Sequence, residues 1–492
     1  MTNLERYATF MVITIASIAI VECTYLGITG LHSFRQSDAY GYLLGILHLK
    51  DFRVFDLFAA RPEINTQAVF DIPIYEALAA IISHALDKDP LVSVRYLNYF
   101  LWLVVVYSGY KLSEKLSPTY SGFTYIILIC SSPLFLHYFA VPLPDNLALA
   151  CSVLASYLVL TSGGLVHLFV AFVLIAIAAA VKSPIPFVFL MYCGSMLSIR
   201  KTYIDEFGVL HEKPTNKFFL VTFFVACALV TVVIEYYRQR LMSEYGPKGG
   251  HHWQWYFGEL ELRLKPNFWQ TIMARFNEWL PPYFGLIFIG GCLASMIADW
   301  RKTYTLATPF LISFLSGWLV FANLYHIHNY YQLPVALIAL ISFACILSIS
   351  IHHYSRILVA KTGVSIGRVG DATITLLCAF FIYESLTAKS YTNKTRVDFW
   401  KAAEFALHDA NKFLLVSIKP IIDPQFGGRL STKYVSIAAA EYENNCQKYF
   451  SEYNYIFVAG YRSKCIEDNK IQASIYINDS GMTLFGRKPK GW

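Results

Sequence analysis

Long apolar runs separated by short polar segments dominate the first four fifths of the chain. Runs of about 17–25 apolar residues can cross a bilayer as helices, and about eleven such runs occur. The first run ends without a small-residue cleavage site, so we expect an uncleaved helix. The pattern predicts an all-α polytopic membrane domain over residues 1–388. The runs lie near 8–30, 93–112, 119–136, 146–162, 165–182, 184–199, 217–235, 283–299, 306–324, 330–351 and 371–388.

Three longer polar regions remain: a first loop of about 60 residues, a second loop at about 236–282 and a tail at 389–492. The tail changes period from helical to alternating, which predicts a small α/β domain. Its predicted helix covers Val397–Asn411. Its predicted strands cover Phe413–Ile418, Tyr455–Ala459, Ala473–Ile477 and Met482–Phe485.

Composition and charge agree with a membrane protein. Hydrophobic residues make up 56% of the chain and charged residues only 15%, against roughly a quarter charged in soluble proteins. The net charge of +7 is expected of a membrane protein, because its cytoplasmic loops collect Lys and Arg, and no basic-aromatic stripe indicates nucleic acid. The connections at 137–145 and 325–329 contain no Lys or Arg. The basic ones contain Lys111, Lys115, Arg200, Lys201, Lys213, Lys217, Arg301, Lys302, Arg356, Lys361 and Arg368.

This asymmetry places the N-terminus inside and both long loops and the tail outside the cytoplasm. Cysteine usage agrees with an exported tail. Eight of ten cysteines lie in apolar runs, and the other two, Cys446 and Cys465, both lie in the tail. We expect these two to form a disulfide in an oxidising compartment; two free thiols are the alternative.

Five polar clusters lie at the predicted exterior ends of the helices. Because ionisable groups at membrane depth are costly, their convergence on one face favours a functional site. The clusters lie at residues 32–40, 142–146, 182–184, 251–255 and 325–332.

These residue types suit transfer of a sugar from a lipid-borne phosphate. A carboxylate can take the proton of an attacking hydroxyl, and a cation can neutralise the departing phosphate. Two segments of the first loop, Tyr40–Leu49 and Ile72–Leu86, have the period of helices lying in the membrane interface. The catalytic candidates are Asp38 and Asp145, and the donor-phosphate candidates are Lys182, Arg35 and Arg61. The substrate-binding candidates are His32, His251, His252, Trp253, His326, His328, Tyr330 and Tyr331.

Each candidate also has a structural alternative. Asp38 and Asp145 each precede a predicted helix and are suited to capping it. Arg35 could pair with Asp38, and Lys182 could be a snorkelling residue at the interface. The four histidines could hold a divalent metal ion, because paired His and His-x-His both occur as ligands.

The segment at residues 32–38, which reads HSFRQSD, resembles the H-x-W-R-Q-x-D motif of bacterial GT-C glycosyltransferases. That group includes the protein O-mannosyltransferases and the lipid A aminoarabinose transferases. Segments at 70–76, 144–145, 181–184 and 329–334 extend the resemblance in order, so that it covers roughly residues 5–350.

The resemblance implies an inverting transferase that uses polyprenyl-phosphate sugars on the non-cytoplasmic face. It implies a glycan, lipopolysaccharide or protein acceptor, a central catalytic role for Asp38 and a supporting or metal-holding role for Asp145. The chain departs from the pattern at Phe34, where Trp is usual, and at Asp71, where Glu is expected. Ala39 follows Asp38 where the mannosyltransferases have a Glu, which argues against that narrower activity and leaves the metal open.

Two other functions stay open at this point. A lipid-linked sugar transporter or flippase should show inverted halves with matching broken helices, and no such symmetry is evident. A polysaccharide ligase or polymerase would share the lipid-linked donor and the exterior chemistry.

Overall fold

The computed structural model describes most of the helical region and the strands of the tail. The described residues are 72–88, 90–117, 120–161, 164–207, 217–245, 256–279, 284–362, 412–417, 433–453, 455–459, 463–468, 473–479 and 482–487, with a few isolated positions before residue 48. They fall in two compact units: the first holds 72–78 and 94–362, and the second holds 79–93 and the tail segments.

The helical region consists of twelve described helices. They are α1 (Ile74–Leu86), α2 (Pro90–Leu116), α3 (Ser121–Cys130), α4 (Pro133–Ala140), α5 (Asp145–Thr161), α6 (Leu165–Lys182), α7 (Pro184–Phe207), α8 (Lys217–Tyr245), α9 (Pro266–Trp279), α10 (Phe284–Val320), α11 (Ala322–Ile327) and α12 (Leu333–Thr362). Short 3₁₀ turns at Leu260–Leu264 and Asn329–Gln332 precede α9 and α12.

Proline sets several of these boundaries. The helices α2, α4, α7 and α9 each begin at a proline, where the fixed φ suits a helix and the missing N–H costs nothing. The helix α1 matches the predicted interfacial segment Ile72–Leu86 closely.

Four described helices are long and apolar enough to cross a membrane, which indicates an integral membrane protein. The helix α12 is almost wholly buried and packs against α3, α7 and α10, as expected of a helix that is apolar on all sides. The helix α8 is mostly exposed and packs on α6, so its outer face meets lipid. The four qualifying segments are Leu165–Lys182, Phe218–Arg238, Ile289–Val320 and Asn329–Lys361.

The structure interrupts the predicted span at 119–136. The structure divides it into α3 and α4, which are bent by 63° relative to each other. Ser132 adopts an extended conformation (ψ 116°) directly before Pro133. The cause is the proline, which lacks an N–H and forces the preceding residue out of the helical region.

The predicted spans at 283–299 and 306–324 are the two arms of one helical hairpin, α10, with no separate loop between them. The chain leaves helical geometry only at Asp299. The hydroxyls of Ser295 and Thr303 lie 2.5 Å apart, whereas eight residues of straight helix rise about 12 Å. The helix therefore reverses at Asp299, whose carboxylate pairs with Lys302 at 3.3 Å.

The tail contains a five-stranded sheet in the order β2-β1-β3-β5-β4. The strands are β1 (Lys412–Ser417), β2 (Lys433–Ala438), β3 (Tyr455–Ala459), β4 (Ala473–Asp479) and β5 (Met482–Arg487), and the helices are α13 (Ala439–Asn444), α14 (Cys446–Glu452) and α15 (Lys464–Asp468). The strand β1 pairs in parallel with β2 and β3, and β5 pairs antiparallel with β3 and β4. The sequence pattern missed β2.

A disulfide joins Cys446, the first residue of α14, to Cys465 in α15, with their Cα atoms 5.9 Å apart. The predicted helix Val397–Asn411 and the predicted spans at 8–30 and 371–388 lie outside the fully described residues.

Candidate functional site

Asp145 begins α5 at the end of a proline-containing turn, and its side chain is 0% exposed. The N–H groups of Asn146 and Leu147 donate to the carbonyls of Leu143 and Pro144 at 3.1 and 3.0 Å, so the turn itself satisfies the start of the helix. Neither carboxylate oxygen of Asp145 accepts a hydrogen bond. This geometry is inconsistent with the capping alternative. Burying a carboxylate without a hydrogen-bond partner is costly, so Asp145 remains a candidate site residue.

A network of buried amides fixes this turn. The Asn146 amide donates to the carbonyl of Tyr138 at 2.8 Å and to the Asn98 side-chain oxygen at 3.3 Å. The Asn98 amide in turn donates to the carbonyl of Val141 at 2.6 Å, and the Tyr75 hydroxyl donates to the Asn98 oxygen at 2.8 Å. Helices α1, α2, α4 and α5 therefore meet around the turn that carries Asp145.

The 3₁₀ turn at Asn329–Gln332 joins the same network. The Tyr138 hydroxyl donates to the Asn329 side-chain oxygen, and the rings of Tyr138 and Tyr330 meet edge to face at 6.1 Å. The imidazole of His328 stacks on Tyr330 at 5.1 Å, and Tyr331 lies 4.6 Å from Tyr330 between ring centroids. The turn thus presents a buried aromatic cluster beside the amides.

Lys182, the last residue of α6, also contacts this cluster. Its side chain is only 4% exposed, and its Nζ lies 5.4 Å from the centroid of the Tyr331 ring, within the range of a cation–π contact. A snorkelling lysine keeps its ammonium in water, so the structure contradicts that alternative. Three of the five predicted clusters, at 142–146, 182–184 and 325–332, therefore come together through connected contacts.

The two candidate histidines that the structure describes have different surroundings. His328 belongs to the aromatic cluster, whereas the ring of His326 lies 5.9 Å from Phe268 of α9. Burial lowers the pKa of His326 below its usual value, and the nearby Arg275 guanidinium lowers it further. The lowered pKa makes His326 a weaker candidate than Lys182 for a phosphate contact.

The remaining predicted residues lie outside the described part of the chain, so the structure says nothing of them. No three His, Cys, Asp or Glu side chains within the described ranges come together in a way that could hold a metal ion. The undescribed candidates are His32, Arg35, Asp38, Arg61, His251, His252 and Trp253.

Sequence reasoning missed three arginines that hold the backbone around the site. Arg263 donates to the carbonyls of Leu319 and Val320 at 2.6 and 3.0 Å, at the end of α10. Arg275 donates to the carbonyls of Tyr325, His326 and Ile327. Arg238 of α8 does the same for the end of α6. The only sequence signal was Glu235 three residues before Arg238, a spacing that pairs charges on a helix.

Comparison with known proteins identifies the fold. No family model and no curated protein sequence matches the chain. The structure of ArnT from Cupriavidus metallidurans in the apo state matches with a TM-score of 0.60 and 9% identity, over 98% of this chain and 99% of that one. The same protein bound to undecaprenyl phosphate matches with a TM-score of 0.60, 10% identity and 98% coverage of both chains.

The apo oligosaccharyltransferase of Archaeoglobus fulgidus matches with a TM-score of 0.53 and 12% identity, over 93% of this chain and 70% of that one. These neighbours are GT-C glycosyltransferases. At such low identity the likeness shows the fold, and the chain has a GT-C fold.

Proposed function

We propose that this protein is a membrane glycosyltransferase that moves a sugar from a polyprenyl-phosphate donor to an acceptor hydroxyl on a glycan, lipopolysaccharide or protein. The observation that carries the proposal is that the turn with the buried Asp145, the buried Lys182 and the aromatic turn at 329–332 are linked by connected contacts at helix ends of a GT-C fold. One neighbour of that fold, ArnT, binds undecaprenyl phosphate, and this supports the same class of donor here.

The proposed reaction is a single displacement at the anomeric carbon. Asp38 takes the proton of the acceptor hydroxyl as its oxygen attacks. The new glycosidic bond forms as the bond from the anomeric carbon to the phosphate oxygen breaks, with inversion. The polyprenyl phosphate leaves as an anion that Lys182 stabilises, with Arg35 and Arg61 as further cations.

The other predicted residues are assigned to the sugar. Asp145 assists Asp38 or orients a sugar hydroxyl, which suits a buried carboxylate whose oxygens accept no hydrogen bond in the protein. The stacked pair His328 and Tyr330, with the neighbouring Tyr331, offers a ring face to the sugar. His326 is better suited to holding α11 against α9, because its ring contacts Phe268.

The topology proposed from the sequence gives the side of the membrane on which the reaction takes place. Eleven spans with the N-terminus inside put the 142–146, 182–184 and 325–332 clusters on the exterior face. The tail at 389–492 then lies on the same side, which agrees with a disulfide in it. In a bacterium this face is the periplasm.

The test compares the polyprenyl-phosphate lipids of a cell that lacks the protein with those of the same cell carrying the wild-type or a variant gene. A cell lacking the protein should accumulate one polyprenyl-phosphate sugar in its lipid mass spectrum, and the wild-type gene should clear it. Asp38→Asn should fail to clear it at normal expression. Asp299→Asn is the matched control, because Asp299 caps the α10 hairpin instead of the site. No accumulating lipid, or clearance by Asp38→Asn, would contradict the proposal.

A further inference from the structure

The junction between α6 and α7 contains a carbonyl that the helix cannot satisfy. In a regular helix the carbonyl of Ala180 would accept from the N–H of residue 184. Residue 184 is Pro184, which has no N–H. An unsatisfied carbonyl at membrane depth is costly, so another donor is needed where α6 ends.

Arg238 supplies that donor from α8. One guanidinium nitrogen donates to the carbonyls of Ala180 and Ala179 at 2.8 and 3.0 Å. The second terminal nitrogen, Nη1, donates to the Ser183 hydroxyl at 3.3 Å and to the Glu235 carboxylate at 2.7 Å. Arg238 is 1% exposed, so it has been taken wholly out of solvent to make these contacts.

Further hydrogen bonds hold the junction between α6 and α7 through the partners of Arg238. The Ser183 hydroxyl donates to Glu235 at 2.9 Å, and the N–H of Ile72 also donates to the Ala180 carbonyl, at 3.3 Å. The carbonyl end of a helix carries partial negative charge, which a buried cation stabilises. Lys182 is two residues beyond Ala180, so whatever fixes this helix end also fixes the lysine.

We propose that Arg238 is a positioning residue: it replaces the backbone donor missing at Pro184 and thereby holds Lys182 over Tyr331. What Lys182 binds rests on the proposed function, whereas its placement by Arg238 does not. The alternative is that Arg238 only stabilises the packing of α8 on α6, without any specific effect on the lysine.

The proline provides a rescue that separates these alternatives. Ser183 is already in helical geometry (φ −53°, ψ −33°), so Pro184→Ala restores an N–H that can donate to the Ala180 carbonyl. If Arg238 acts by replacing that donor, Pro184→Ala should rescue Arg238→Met. If it acts only by packing α8, the restored N–H should not help.

The experiment uses the full-length purified chain and two measurements. The first is the rate at which an amine reagent labels Lys182, found by mass spectrometry and normalised to Lys111. The second is the affinity for undecaprenyl phosphate. Arg238→Met should raise the labelling rate and lower the affinity by about tenfold or more, the scale of lost hydrogen bonds from a charged donor. The double variant with Pro184→Ala should return to within about threefold of wild type.

Glu235→Gln is the matched control, because it breaks the ion pair but leaves the donors to both carbonyls. It should leave the labelling of Lys182 unchanged. If Arg238→Met does not fold, Arg238→Lys replaces it: one ammonium cannot reach all four acceptors, so a smaller change in the same direction is expected.

Two results overturn the proposal: unchanged labelling of Lys182 in the Arg238 variants, or a change that Pro184→Ala does not reduce. Failure of the wild type to bind undecaprenyl phosphate would contradict the proposed function alone, because the labelling rate still reports the position of Lys182.

Discussion

Replacing Lys182 by methionine tests the proposed phosphate contact most directly. Methionine keeps most of the length of the side chain and removes its charge. Lys182 is 4% exposed and its ammonium faces the Tyr331 ring, so a phosphate bound there would meet it with little competing water. A hydrogen bond to a charged group contributes about 1.5–3 kcal/mol, which corresponds to roughly a 10- to 150-fold change in affinity.

The assay is a titration of the purified protein with undecaprenyl phosphate. Lys111→Met is the matched control, because Lys111 also lies over a tyrosine ring, that of Tyr110, at 5.1 Å. It differs in being 38% exposed and paired with Glu114 at 3.0 Å. We expect the affinity to fall at least about tenfold in Lys182→Met and to stay within twofold of wild type in the control.

Salt adds a second criterion. Buried charges are screened much less than exposed ones, so the difference between the two variants should persist at about 0.5 M salt. The reasoning is refuted if Lys182→Met binds as tightly as the control, or if its loss of affinity only parallels a loss of folded protein measured by thermal unfolding.

Three further predictions concern other parts of the molecule. Asp145→Asn should lower transfer by about 100-fold or more, the scale of an acid–base group, without lowering the unfolding temperature, because it removes a buried charge; retained activity would leave Asp145 without a catalytic role. The lowered pKa of His326 beside Arg275 means that protonation opposes folding below about pH 6.5. The unfolding temperature should therefore fall less between pH 7.5 and 5.5 in His326→Gln than in wild type, and an equal fall would contradict this. Replacing Cys446 and Cys465 by serine opens a loop closed over 19 residues, so hydrogen exchange at 439–468 should report a loss of about 3 kcal/mol; unchanged exchange would contradict that value.

The sequence was informative where a local signal sufficed. Apolar runs located the long helices, and alternating segments located four of the five strands. The convergence of three polar clusters was predicted from topology alone, because the alternation of spans puts all three on one face of the membrane. The strand β2 was missed, although it pairs in parallel with β1; parallel pairing depends on a distant segment of the chain.

The turn at Asp299 lies between two predicted spans, 283–299 and 306–324. The bend at Pro133 was missed, because hydropathy averages over a window and cannot show that one proline divides the run at 119–136 into α3 and α4. The role of Arg238 could not be predicted from a local pattern either. Its role depends on a carbonyl 58 residues away in sequence, and no pattern along the chain connects the two.

The described part of the site is built where helices are interrupted, and the membrane gives the physical reason. Asp145 follows the turn at Pro144, Lys182 precedes Pro184, and Tyr331 lies in a 3₁₀ turn before α12. Each interruption frees backbone groups that lipid cannot satisfy, so buried side chains such as Asn98 and Arg238 must bind them. These side chains are rigidly held because their partners are backbone atoms. The interruptions therefore bring polar groups into an apolar protein and, through the same hydrogen bonds, fix the catalytic candidates in place.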